Sequence, residues 1–194
     1  MATELTTVND CLAIMGESPL NSLMEEHAYK AAALATLARV SKTVQSREWW
    51  YNLENLTIAA SPADGRLYLP GDVGTVRPVG TSSDLVQRGR VLYDLAAGTD
   101  VFAAGFSCSV QITRVLALVD VPTSVADLIV AKTVLEFQNL YDGDQTKTRN
   151  LGELVARLQQ EAKIEHIRNR KVNLIDNNER LARIRNHVYS TGRY

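Results

Sequence analysis

The sequence predicts an α+β protein: a helical bundle of about four helices, an inserted small antiparallel β domain and an extended C-terminal arm. Three observations carry that prediction. Apolar residues recur at helical spacing near both ends of the chain. Seven of the eleven glycines fall within residues 49–121, between short apolar runs. The segment from Glu165 onward is polar, asparagine-rich and basic, and buries little by itself. The expected divisions are residues 1–48 for the first part of the bundle, 49–121 for the β-rich insertion, 122–173 for the second part of the bundle and 174–194 for a docking arm.

Taken in order, Thr7 followed three residues later by Asp10 gives a capping-box pattern with Asp in place of Glu, and Gly16 suits a C-terminal stop. A short first helix over Val8–Met15 follows. Pro19 breaks the chain, and Asn21 or Ser22 is expected to cap a second, longer helix. Its apolar stripe is Ala31, Leu34, Ala35, Leu37, Ala38 and Val44, and its alanines allow close approach of a neighbouring helix. In the glycine-rich middle, SPADGRLYLP reads as a turn at Asp64-Gly65 and then a strand, with Leu67 and Leu69 facing opposite to Arg66 and Tyr68. The run SVQITRVLALV, with Val110, Ile112 and Arg114, reads as a last strand that alternates at first and then turns fully apolar. A small antiparallel sheet or sandwich results.

Pro122 opens a third helix, TSVADLIVAKTVLEFQNLY, which is apolar around most of its circumference. Lys132, Glu136 and Asn139 form its one narrow polar stripe, so it is expected at the buried centre, ending at Gly143. A fourth helix is expected to start near Asn150, with Leu151, Leu154, Val155, Leu158 and Ala162 on one side. Adjacent Trp49, Trp50 and Tyr51 are read as anchors between helix and sheet, because aromatic rings bury large areas.

Composition excludes several classes. At 194 residues, 45% hydrophobic and 22% charged, the chain is neither disordered nor fibrous. No apolar run reaches the roughly 20 residues that span a bilayer. The N-terminal MATELTTVNDCLAIMGE lacks the basic start and apolar block of a signal peptide. Cys11 and Cys108 match no disulfide framework or zinc spacing, so synthesis in a reducing cytoplasm is expected. The net charge of −1 conceals an asymmetry. Residues 1–146 carry 10 Lys/Arg against 17 Asp/Glu, a balance of −7; residues 147–194 carry 11 against 5, a balance of +6. A basic end on an acidic body suits docking onto an acidic protein surface or nucleic acid.

Signatures of chemistry do not emerge. There is no GxGxxG, no GxxxxGK[ST], and the Gly105-Phe106-Ser107-Cys108-Ser109 run fails the GxSxG pattern at its last position. His27, His166 and His187 show no metal-ligand spacing, and His27 reads as a packed or surface residue. In DGDQTKTRNLGE, Asp142, Asp144, Thr146, Thr148, Asn150 and Glu153 occupy calcium-loop positions. Lys147 stands where the sharp turn needs glycine, so a helix connection with a capping residue is the better reading. No catalytic, cofactor-binding or metal residues are assigned. Arg180, Arg183, Arg185, Tyr189 and Tyr194 are the candidate docking residues, since Arg and Tyr are favoured at interfaces.

Three sequence blocks, in order, resemble the tail tubular protein A family of short-tailed, podovirus-like bacteriophages. Thr7-Val8-Asn9-Asp10 through Ile14-Met15-Gly16-Glu17 is similar to its opening block. Gln45-Ser46-Arg47 with Trp49 to Asn52 is similar to the second, although Glu48 stands where glycine is usual. Pro122, Val125, Ala131, Phe137-Gln138 and Gly143-Asp144 are similar to the third. The resemblance covers residues 4–160 or so. It implies a structural virion protein and not an enzyme: a ring of twelve subunits, the head-to-tail adaptor or gatekeeper, between the portal and the tail nozzle (a tail tubular protein B-like partner). Genomic double-stranded DNA would pass through the lumen without specific binding, tail fibres would attach around the junction, and no cofactor or membrane would be involved. The implied location is the tail or neck of the virion, after synthesis in the host cytoplasm.

Each subunit of a closed ring presents two different faces, and the alanine-rich second helix and the exposed side of the β domain are the expected ones. Two other functions compete. One is a tail-associated polysaccharide hydrolase using Asp/Glu pairs near the tryptophans. The other is a DNA-binding module using the basic arm, which strong salt dependence would reveal.

Overall fold

The structure, a computed structural model, describes residues 2–80 and 84–170. It is an α+β fold. Helices α1 (Glu4–Ile14) and α2 (Lys30–Gln45) precede the strands, and α3 (Thr123–Tyr141) and α4 (Gln145–Asn169) follow them. Between lie β1 (Leu53–Ala59), β2 (Val73–Pro78), β3 (Leu85–Arg88), β4 (Val91–Asp94), β5 (Ser107–Arg114) and a 3₁₀ turn over Leu118–Asp120.

Helix α1 starts earlier than the Thr7–Asp10 pattern predicts. Thr3 is the cap: its hydroxyl accepts from the Thr6 backbone N–H at 3.1 Å, and the Thr6 hydroxyl accepts from the Thr3 N–H at 2.9 Å. Thr7 is inside the helix, buried, and donates its hydroxyl to the Thr3 carbonyl. The far end stops at Gly16 as expected. With φ at +75°, Gly16 lets Glu17 N–H reach the Leu12 carbonyl at 3.0 Å, closing the helix end.

Helix α2 starts later than expected, at Lys30. Ser22 does accept from the Met24 N–H, but that closes only a local turn. The carbonyls of this connection are satisfied from elsewhere: Lys30 Nζ holds those of Leu23 and Glu25, and Asn9 holds that of Leu20. The buried face of α2 is Ala33, Thr36, Leu37, Val40 and Val44, whereas Ala31, Ala35 and Ala38 of the expected stripe are exposed. A methyl group weighs little in placing a helix face. The branched side chains decide it.

The sheet is antiparallel in the order β1-β5-β2, with β3-β4 as a separate two-stranded ribbon. Leu67 and Leu69 point inward and Arg66 and Tyr68 outward, as the alternation predicts. The segment makes isolated bridges to Val101 and Val91 instead of a continuous strand. Its leucines join Leu85, Leu92, Cys108, Val110 and Ile112 in one core. Strand β5 ends at Arg114, short of the apolar run that the sequence extends to Val119; those residues pass into the 3₁₀ turn.

Helix α3 occupies the predicted span and packs against α1, α2 and α4. Its Val125, Leu128 and Ile129 face one core with Leu37, Val40 and Trp49, and its Val134 and Phe137 face another with Val8, Leu12 and Leu20. Lys132 and Glu136 of the polar stripe are half-buried, and Asn139 is exposed. Helix α4 begins five residues before Asn150, because Asp144 caps it. The carboxylate accepts from Thr146 and Lys147 N–H at 2.7 and 2.9 Å. The helix runs on to Asn169, through the polar stretch that begins at Glu165.

Candidate functional site

The three sequence blocks fall on junctions between elements, and a side-chain amide holds each one. At the first, Asn9 pairs with the backbone of Leu20 in both directions, both bonds 2.9 Å, and so fixes the loop after α1. At the second, Gln45 at the end of α2 donates to the Leu116 carbonyl and accepts from its N–H, each at 2.9 Å. Buried Asn52 accepts from Trp49 N–H and donates to the carbonyls of Gln45 and Arg114. Trp49 Nε1 donates to the Val44 carbonyl at 2.8 Å, and its ring is buried in the helical core with Leu37, Val40 and Ile129, so it anchors the chain after α2 to the bundle. At the third, Gln138 donates to the Asp144 carbonyl and accepts from the Thr148 hydroxyl, tying α3 to α4.

Amides suit these places because each offers a donor and an acceptor to backbone that no ladder can satisfy. Ion pairs add to the bracing. Arg114 on β5 holds Glu54 on β1 and Asp72 before β2. Glu48, where the resembled family has glycine, pairs with Arg77 on β2 and lies 3.7 Å from Arg170 beyond α4.

The surface carries a recess and a ridge. The recess, about 450 Å³, lies between α1, α3 and α4 and is lined by Ala13, Ile14, Val130, Val134, Leu154 and Leu158. Asp10 and Asp127 stand on its wall, and burial pushes the Asp10 carboxyl above its usual range. Burial, with the Asp10 charge beside it, pushes the nearby Cys11 thiol up to about 12. The ridge is the distal part of α4, where Ile164 and Ile167 are 50% and 67% exposed. The two surfaces expected to meet neighbours are both accessible: Ala31, Ala35 and Ala38 on α2, and the outer sheet face of Asn55, Thr57, Ser107 and Ser109.

The titratable groups are placed structurally. His27 Nδ1 accepts from Tyr29 N–H, which agrees with a packed histidine. His166 lies against the rings of Trp49 and Trp50, and burial together with Arg170 pulls its pKa below the usual range. In the calcium-like stretch, Asp144 caps α4 and Asp142 pairs with Lys147 at 2.7 Å, so the helix-connection reading is the one that holds. Among the described residues no His, Cys, Asp or Glu side chains gather in threes for a metal, and no helix is long and apolar enough to cross a membrane. The candidate docking residues Arg180, Arg183, Arg185, Tyr189 and Tyr194 lie outside the described residues. Sequence reading missed the recess, for which no local pattern exists: its walls come from residues near 10, 130 and 155.

An α+β subunit braced at its helix–sheet and helix–helix junctions, with a recess on one surface and an apolar ridge on another, has the build of an assembly component. The chain matches the family described as "Tube: Tail tubular protein" over residues 5–182 and belongs to it. It is thus a structural protein of the bacteriophage tail, a component of the virion that associates with other tail proteins. The match runs beyond residue 160 or so, the extent of the sequence resemblance, and well beyond Asp144, where the third block ends. No curated protein matches the chain.

Proposed function

We propose that this chain is the ring-forming head-to-tail adaptor of a short-tailed phage. In this reading about twelve copies, a number taken from the resembled family, form an annulus between the portal and the tail nozzle, and closure requires each subunit to offer two complementary faces. The annulus is a conduit for genomic double-stranded DNA and a platform for tail fibres, and it works by assembly without turnover. Membership of the tail tubular family over residues 5–182 is the observation that carries the proposal.

Charge supports the conduit. Each phosphate neutralised by Lys or Arg strengthens retention of DNA, and residues 1–146 balance to −7. The basic C-terminal end then serves protein docking, with Arg180, Arg183, Arg185, Tyr189 and Tyr194 placed against the portal. The strand-bearing segment 49–121 is proposed as a unit inserted into the bundle. Changing Arg183→Glu and Arg185→Glu is expected to weaken attachment to purified portal while the circular-dichroism spectrum stays that of the parent. Attachment at parental strength with a native spectrum removes that role from the arm. Binding of the free chain to duplex DNA that falls steeply with salt would favour the nucleic-acid reading instead.

A further inference from the structure

We infer that the recess between α1, α3 and α4 receives the exposed distal ridge of α4 from a second copy of this chain. The inference rests on the ring reading and names the faces that would close it.

Three observations choose a second copy as the occupant. The first is shape and polarity. The recess of about 450 Å³ has an apolar lining, with Ala13, Ile14, Val130, Leu154 and Leu158 among its residues. The ridge presents two large apolar side chains, Ile164 and Ile167, that are half or more exposed. Apolar side chains of that size left in water on a long helix mark a contact surface when they sit together.

The second is charge. Asp10 and Asp127 stand on the recess wall. Lys163 and Arg168 flank the ridge, while the neighbouring Arg157 and Arg170 already face Glu161 and Glu48. An apolar contact rimmed by opposite charges is the arrangement that fixes register and rejects the wrong face.

The third is placement. At about 100° per residue, Ile164 and Ile167 lie roughly 140–200° round α4 from Ala162, which faces α3. They also lie about 14 Å along the helix axis from Leu154 and Leu158, at 1.5 Å per residue. A subunit therefore carries ridge and recess as separate surfaces, and a ridge-to-recess contact is heterologous: it leaves one unused surface at each end of a dimer and propagates until the rotation closes. The exposed alanines of α2 offer methyl groups and no large apolar knob, and of the exposed charges beside them Arg39 already faces Glu136, which leaves Lys42.

The test uses the full chain. Ile164→Glu with Ile167→Glu destroys the ridge and keeps the recess; Ala13→Arg fills the recess, adds a charge that repels Lys163 and Arg168, and keeps the ridge. All three positions are exposed, and circular dichroism checks that each variant folds. Sedimentation velocity is expected to show the wild type assembling beyond a dimer and each variant monomeric at the same concentration. A one-to-one mixture of the two variants is expected to stop at a heterodimer, because one good ridge and one good recess remain. A monomeric wild type, a variant that assembles like wild type, or a mixture without heterodimer overturns the pairing. The ring reading fails separately, if tails contain no annulus of this chain.

Discussion

Replacing Asn52 by leucine removes the hub that joins α2 to the sheet while nearly preserving side-chain volume. Asn52 is 1% exposed and makes three hydrogen bonds: it accepts from Trp49 N–H at 3.0 Å and donates to the carbonyls of Gln45 at 2.6 Å and Arg114 at 3.0 Å. Leucine leaves one backbone donor and two acceptors without that partner. A buried polar group left unpaired costs about 1–3 kcal/mol. The Trp49 N–H keeps the Arg47 carbonyl at 2.9 Å and the Arg114 carbonyl is only partly covered, so the fully buried carbonyl of Gln45 carries most of the loss, and the expected destabilisation is about 3–5 kcal/mol. For a chain of this size, that lowers the melting temperature by about 6–20 °C. The assay is urea unfolding followed by far-ultraviolet circular dichroism and by tryptophan fluorescence, since Trp49 sits beside the substitution. Asn52→Asp is the control that keeps an acceptor for the Trp49 N–H. A loss below 1 kcal/mol for Asn52→Leu, with both probes coincident, would falsify the idea that this amide holds the junction.

Three further outcomes follow from particular contacts. Asp144→Ala deletes the cap of α4 and is expected to cost about 1 kcal/mol in the same unfolding experiment, whereas Asp144→Ser retains most of the stability. His166 has its pKa held down in the fold, so the unfolded chain binds its proton first. Stability is full above the unfolded value of about 6.5 and falls as the pH drops through it, and His166→Phe is expected to flatten that part of a melting-temperature profile. An unchanged profile assigns the acid sensitivity elsewhere. Cys11 is buried with its thiol pushed up to about 12, so its reaction with a thiol reagent at neutral pH is expected to track unfolding; rapid labelling of the native chain contradicts its placement.

Helix α3 was legible because its signals agree. Pro122 opens it, Gly143 turns away at φ +70° and a three-residue polar stripe leaves the rest apolar. The α+β class was legible for a similar reason, in the concentration of glycines between two helix-period regions. Starts of helices were less so. Thr7, Asn21 and Ser22 have capping chemistry, but the cap is taken by Thr3 at α1, and at α2 Lys30 and Asn9 reach carbonyls that a local window does not connect. The stripe of α2 misled because alanine counts as apolar in a pattern yet contributes little when buried, and Thr36, polar by type, is inside.

The functional surfaces were harder still. The amides of the three blocks stand in plain view in the sequence, but what each one holds is defined by a partner up to 71 residues away. The recess exists only once α1, α3 and α4 meet. Ile164 and Ile167 look like a stripe that is thinning, because they fall opposite the face of α4 that carries Leu151, Leu154, Leu158 and Ala162.

The most direct test of the adaptor reading is an electron-microscopy reconstruction of the intact phage neck, at a resolution that traces this chain. The account predicts a closed annulus of identical copies between portal and nozzle, with DNA on its axis. Copies found elsewhere on the tail, or present singly without ring symmetry, would contradict it.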